Sequence, residues 1–136
     1  MQTFLPYANF TKSAQCLDNK RLGKQRVECL QILNALTGKS KGWVNHPATK
    51  MWKGYELSLY EYMVAVVIEW KARGYKDTCL DKAGDLKLYI AEFKNPPWFG
   101  DEAFHASHRS NLLRKSDHYN KFGWTESTDL PYVWPV

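Results

Sequence analysis

The sequence predicts an all-α protein: a compact single-domain helical fold over residues 1–136, with long loops and an aromatic C-terminal tail. Three observations lead there. Apolar residues recur at spacings of three and four, and no stretch alternates apolar and polar residues as a half-buried strand does. Glycine and proline fall where such helical runs begin or end. Finally, 136 residues, 44% of them hydrophobic, suffice for one real core, because a chain of this size buries roughly two-thirds of its unfolded surface. No internal repeat or low-complexity tract divides the chain, and strand content should be small.

The first helix starts at a hydroxyl cap, Thr11 or Ser13, which accepts a hydrogen bond from a free backbone N–H of the first turn. It carries Leu17, Leu22, Val27, Leu30, Leu33 and Leu36 and stops at Gly38. Gly23 inside it costs about 1 kcal/mol relative to alanine. Either the helix is interrupted there or another group approaches its backbone closely. After a polar loop, 39–45, Pro47 opens a second helix, since its missing N–H has no partner in the first turn. Met51, Tyr55, Leu59, Tyr62, Val66 and Trp70 form its wide aromatic face, read as core, and Gly74 closes it. A shorter third helix covers 78–93. The turn Asn95-Pro96-Pro97-Trp98-Phe99-Gly100 follows, because proline cannot continue a helix. A fourth helix beginning near Ser107 carries Arg109, Leu112, Leu113 and Arg114. The tail, 121–136, is aromatic enough to pack.

Composition excludes several classes. The longest apolar run, Met63 to Ile68, is far short of the roughly 20 residues of a membrane span, and the first residues lack the basic start and apolar stretch of a secretory signal. Cytoplasmic residence is the expectation. Cys16, Cys29 and Cys79 are odd in number with no CxxC pair, which argues for reduced, mostly buried thiols. P-loop, GxSxG, HExxH and GxGxxG motifs are all missing, which removes the common nucleotide-fold and hydrolase readings.

The formal charge of +5 and pI near 9.1 are modest. Their distribution is more informative. Leu17-Asp18-Asn19-Lys20-Arg21-Leu22-Gly23-Lys24-Gln25-Arg26-Val27-Glu28 holds four cations within seven positions, and Phe104-His105-Ala106-Ser107-His108-Arg109-Ser110-Asn111-Leu112-Leu113-Arg114-Lys115 holds a second group. The first is either a solvated face, with Glu28 paired to Lys24 one turn away, or a surface for a phosphate backbone, where neutralising phosphates releases counterions. In the second, Ser107, Ser110 and Asn111 suit phosphate oxygens. His105 and His108 lack a carboxylate or cysteine at ligand spacing, so hydrogen bonding is the better reading than metal. Any chemistry must come from Lys, Arg, Glu, His or the chain's own amine.

The two motifs just quoted resemble those of the small phage-type pyrimidine-dimer DNA glycosylases with AP-lyase activity, the endonuclease V type, in a divergent branch of bacteria and phages. The resemblance covers most of the chain. It also rests on Arg26-Val27, on His46 leading a helix that ends Lys71-Ala72-Arg73-Gly74-Tyr75, and on the aromatic stretch 119–123. It implies a helical fold that kinks duplex DNA, turns a nucleotide out of the stack, and attacks the sugar C1′ with an N-terminal α-amine. Such an amine has an unperturbed pKa of about 7.7 to 8.0 and is partly neutral at pH 7, unlike lysine near 10.4. A neighbouring carboxylate moves protons, and the resulting imine permits strand cleavage by elimination.

On this resemblance the family's N-terminal Thr, exposed by removal of Met, is replaced. Gln2 is large enough to block that removal, so Met1 presents the amine. The family's catalytic Glu falls on Gly23, and Glu28 is the nearest replacement in sequence, with Asp18, Glu56 and Glu61 as further candidates. The expected assignments are Met1 as nucleophile, Glu28 as acid/base, Arg21, Arg26 and Lys24 as phosphate and sugar clamp, and His46 as a positioning group. DNA contacts are expected from Lys20, His105, Ser107, His108, Arg109, Ser110, Arg114 and Lys115. The expected partner is double-stranded DNA with a damaged or modified pyrimidine, met by a monomer without metal or organic cofactor. The alternative is a non-catalytic module binding DNA or RNA through the same basic surfaces. An amine and a carboxylate gathered in one basic cleft would favour the enzyme.

Overall fold

The structure, a computed structural model, describes residues 1–86 and 93–136. Among these residues every regular element is helical. Helix α1, Phe10–Cys16, is capped by Asn9, whose Oδ1 accepts the Lys12 N–H at 2.8 Å, one turn before the hydroxyls expected from sequence. Leu17 and Asp18 are extended, so the single helix expected there is two. Helix α2, Asn19–Leu36, runs through Gly23 without a break.

The reason for Gly23 is contact. A Cβ built there would lie 3.0 and 3.1 Å from the Trp70 ring. Trp70 has little room to yield: it stacks on Tyr75 at 4.2 Å, its indole N–H donates to the Lys76 carbonyl at 2.9 Å, and the Arg26 guanidinium covers it at 4.5 Å. Overpacking of this kind typically costs 1–3 kcal/mol, against about 1 kcal/mol gained in helix propensity. Gly23→Ala should therefore lower stability by about 1 kcal/mol, read as a fall in the denaturation midpoint; a rise would show that Trp70 can move.

Pro47 does open a helix, but α3, Pro47–Lys50, is a single turn. Gly54, at φ 88°, turns the chain before α4 begins at Glu56, so the expected long helix is divided. Helix α4, Glu56–Ala72, buries Leu59, Tyr62, Met63, Val66 and Val67 between α1 and α2, which makes its aromatic face core, as expected. Helix α5, Cys79–Gly84, is the start of the expected third helix, whose positions 87–92 lie outside the described residues. Helix α6, Glu102–Lys115, starts five residues before Ser107, because Asp101 supplies the cap to the Ala103 N–H at 3.1 Å. A 3-10 helix, Asp117–Phe122, ends at Gly123 in the left-handed region. The tail then packs back, with Trp124 stacked on Tyr119 and Tyr132 against His108. All three cysteines are buried and free. No helix among the described residues is long and apolar enough to cross a membrane.

The first residues are the unusual part of the core. Residues 2–6 are buried yet belong to no helix or sheet, so their backbone groups need partners from elsewhere. Side chains supply them. Gln25 of α2 accepts the Phe4 N–H at 2.5 Å and donates to the Gln2 carbonyl at 2.8 Å. Tyr62 of α4 donates to the Phe4 carbonyl at 2.6 Å, and the Trp52 indole donates to Thr3 Oγ1 at 3.0 Å. From α6, His108 Nδ1 accepts the Leu5 N–H at 2.9 Å, His105 Nδ1 lies 2.7 Å from the Leu5 carbonyl, and Arg109 donates to the Pro6 carbonyl at 2.7 Å. Three helices thereby fix where Met1 emerges.

Candidate active site

Met1 emerges into a cleft of about 330 Å³ lined by Lys20, Arg21, Lys24, Glu28, Lys115 and Tyr132, together with Gln2 and Phe4. A second lobe of about 430 Å³ adjoins it, formed by Gly23, Val27, Gln31 and Trp43, and shares Met1, Lys24 and Glu28 with the first. The α2 periodicity explains the gathering. Positions 20, 24, 27, 28 and 31 recur at three- and four-residue spacings and share one face, while Leu22, Cys29 and Ile32 occupy the buried one.

Glu28 is the carboxylate of the cleft. Burial pushes its carboxyl above the ordinary value, opposed by the charge of the α-amine, the Gln2 backbone N–H, Lys24 and the Gln25 amide. Gln25 Nε2 donates to Glu28 Oε2 at 3.0 Å, so the glutamine that holds the N-terminal segment also orients the acid. A carboxyl shifted toward neutrality and facing an amine is equipped to move protons between them. His46 caps α3, its Nδ1 accepting the Ala48 N–H at 3.0 Å, which leaves Nε2 to carry the proton of the neutral ring. Burial, and then the charge of the α-amine, lowers its affinity for a second proton.

The cations divide into two sets. Lys20, Arg21, Lys24 and Lys115 line the cleft, although Arg21 also pairs with Asp18 at 3.2 Å. Burial, followed by repulsion from Arg21, Arg114 and Lys24, lowers the Lys115 pKa. Such mutual repulsion marks a place where an anion is favoured. Arg26 is elsewhere, held by Asp77 at 2.6 Å, the Gly23 carbonyl and the Trp70 face.

The second sequence cluster turns inward, contrary to its expected place on a DNA-facing surface. His105, Ser107, His108, Arg109 and Ser110 are all buried. Arg109 is enclosed by Glu102, Glu126 at 2.5 Å and the Pro6 carbonyl. Ser107 and Ser110 accept from the Val133 and Leu130 N–H groups and fasten the tail. Arg114 is exposed, but donates to Asn111 and to the Thr128 carbonyl. Of that motif, Lys115 reaches the cleft. Among the described residues no three His, Cys, Asp or Glu side chains gather as metal ligands would.

Three cleft residues lie outside the quoted motifs, Gln2, Trp43 and Tyr132, and Gln25 lies inside the first motif as an uncharged position. Burial pushes the Tyr132 phenol up to about 12, leaving it a neutral donor. The sequence did hold one signal for Gln25, a polar residue between Leu22 and Cys29 on the apolar face.

If the cleft cations meet phosphates, Lys20→Ala and Lys115→Ala should each reduce the slope of log affinity against log salt by about 0.9. Arg26→Ala should leave that slope unchanged. Filter-binding or anisotropy titrations over a salt series check both.

Among the described residues, this is a small helical domain in which the N-terminal amine and the Glu28 carboxylate share a cleft lined by Lys20, Arg21, Lys24 and Lys115, a charge pattern that attracts anions. Residues 1–83 match the family described as pyrimidine dimer DNA glycosylase, and the chain belongs to that family. The match contains Met1, Lys20, Arg21, Lys24, Gln25, Glu28 and His46. No curated protein and no solved structure matches the chain.

Proposed function

We propose that the protein is a DNA glycosylase with AP-lyase activity, removing a damaged or modified pyrimidine from double-stranded DNA. The single observation that carries this is the sharing of one cationic cleft by the Met1 α-amine and Glu28. The neutral amine attacks the sugar C1′; the N-glycosidic bond breaks, and the base leaves with its electron pair and takes up a proton. As the bond to C1′ forms, the attacking nitrogen releases a proton to Glu28, which returns it to the ring oxygen as the sugar opens to an iminium. Loss of a C2′ proton then expels the 3′ phosphate by elimination, and water hydrolyses the imine to restore the amine. Lys20, Arg21, Lys24 and Lys115 hold the flanking phosphates. His46 positions the amine.

Borohydride trapping tests this on duplexes carrying an abasic site or a pyrimidine dimer, comparing the native start with an N-terminally extended chain. A covalent adduct with the native start, lost on extension, is expected. An adduct that survives extension rejects the α-amine, and an adduct at Lys20 or Lys24 reassigns the nucleophile. No adduct and no base release across a panel of lesions would favour the non-catalytic binding module.

A further inference from the structure

Asp18 stands at the N-cap of α2 and does not cap it. An aspartate there ordinarily accepts a backbone N–H of the first turn and offsets the positive end of the helix. The Asp18 side chain makes no cap hydrogen bond, and the first turn holds no acid but carries the cations Lys20 and Arg21. The carboxylate is used elsewhere. Its Oδ1 accepts the Tyr119 hydroxyl, and its two oxygens accept Arg21 Nη1 at 3.3 and 3.2 Å. The Asp18 N–H donates back to the Tyr119 oxygen at 3.2 Å.

Tyr119 is a fixed post for that carboxylate. It is fully buried and stacks on Trp124 at 5.7 Å, and the Nε2 of its neighbour His118 lies 2.9 Å from the Cys16 carbonyl. The 3-10 helix thus grips the joint between α1 and α2. Burial, then the bond to Asp18, pushes the Tyr119 phenol well above its ordinary value and keeps it a donor. Burial also pushes the Asp18 carboxyl up. Hydrogen bonds from Tyr119 and Arg21, the Arg21 charge and, least of these, the Arg21 backbone N–H outweigh it and hold the group below its ordinary value. The charged Asp18 holds Arg21 by one nitrogen. Nε and Nη2 make no hydrogen bond among the described residues, and together they form an edge of the guanidinium that can meet a phosphate with two parallel bonds.

We propose that Asp18 and Tyr119 are positioning residues for the reaction. The buried phenol fixes the Asp18 carboxylate, which holds Arg21 at the cleft with one guanidinium edge kept for the phosphate beside the attacked sugar. The inference rests on the glycosylase reading. It takes Asp18 out of the acid/base candidates, because the bonds that orient the carboxylate also keep it ionised. A clamp set before the substrate arrives loses less freedom on binding and fixes C1′ relative to the amine.

The test is a double-mutant cycle in the full chain. Its readout is the single-turnover rate at which a borohydride-trapped adduct forms on a duplex with an abasic site, at saturating protein. Tyr119→Phe keeps the ring in the core and removes the hydroxyl. It should slow the rate about tenfold, within the roughly hundredfold that a misplacement of about 1 Å can cause. Duplex affinity and its salt slope should stay unchanged, because no charge is lost. In an Arg21→Ala background the same change should slow the rate less than about twofold, since groups acting through one another do not add. Asp18→Asn leaves the core untouched and should behave like Tyr119→Phe in both backgrounds. An unchanged rate in both variants, or losses as large without Arg21 as with it, overturns the positioning role, while the wild-type adduct leaves the glycosylase reading standing. A wild type that forms no adduct overturns both.

Discussion

Glu28→Gln should reduce base release by two to four orders of magnitude, the usual contribution of a positioned acid/base, while DNA affinity stays level or rises. The substitution keeps the shape of the side chain and an oxygen to accept from Gln25 and the Gln2 N–H, the two neutral donors that meet the carboxylate. On the proposed mechanism it removes the group that takes a proton from the attacking amine. It also removes one negative charge from a cleft otherwise lined by Lys20, Arg21, Lys24 and Lys115, which is why affinity should not fall. Single-turnover kinetics on a lesion duplex, paired with equilibrium binding, separates the two effects. The pH profile is an independent check. Since burial raises the Glu28 carboxyl, the wild type should lose activity on acidification above the ordinary carboxylate range, and the variant should lack that limb. An unchanged rate in Glu28→Gln would move the acid/base role to another carboxylate.

Acid should loosen the hold on the N-terminal segment, with His108 responsible for most of the effect. This ring is fully buried, its Nδ1 accepts the Leu5 N–H, and its Nε2 has no hydrogen-bond partner among the described residues. Burial, with repulsion from His105 second, pushes its pKa down to about 3, against 6.5 for the free side chain. The unfolded chain therefore takes up a proton that the folded chain refuses. Stability from this group is fully present above about pH 6.5 and declines as the pH falls toward 3, because the unfolded state binds more protons in that window. At about 1.4 kcal/mol per pH unit the ceiling is about 4–5 kcal/mol. His105, whose pKa burial also lowers, adds in the same direction. His108→Gln keeps an acceptor for Leu5 but loses the ring contacts with Phe4, Phe104 and Tyr132. It should be less stable at pH 7 by about 1–3 kcal/mol, yet show a flatter acid limb. Denaturant unfolding from pH 7 to pH 4 measures both; parallel curves for the two proteins would remove His108 from this role.

The sequence carried the helical class, the Pro47 start, the core face of α4 and the cations of α2, because each is a local pattern. Non-local partners were harder to read. Arg109 looks like a surface charge until Glu126, seventeen residues on, and Pro6, at the other end of the chain, are seen to enclose it. The same applies to Arg26, whose partner Asp77 follows fifty-one residues later. Gly23 was ambiguous between a break and a close approach, and only the position of Trp70 decides it. The division of the second expected helix turns on Gly54, a left-handed position that the apolar spacing overrode. In the site, Glu28 and Lys24 were legible as charges, whereas Gln25 and Trp43 were passed over. Gln25 is an uncharged position within a charged motif, and Trp43 lies outside both motifs.

The clasp on residues 2–6 also sets an order of events in synthesis. The Leu5 partners His105 and His108 lie 100 and 103 residues further along the chain. At about 5–20 residues per second they follow after roughly 5–20 seconds. Until then the N-terminal segment has only the α2 and α4 side of its mount. The segment that carries Met1 is thus locked only after α6 has been made, so a nascent chain stalled before α6 holds Met1 and Glu28 without their full alignment.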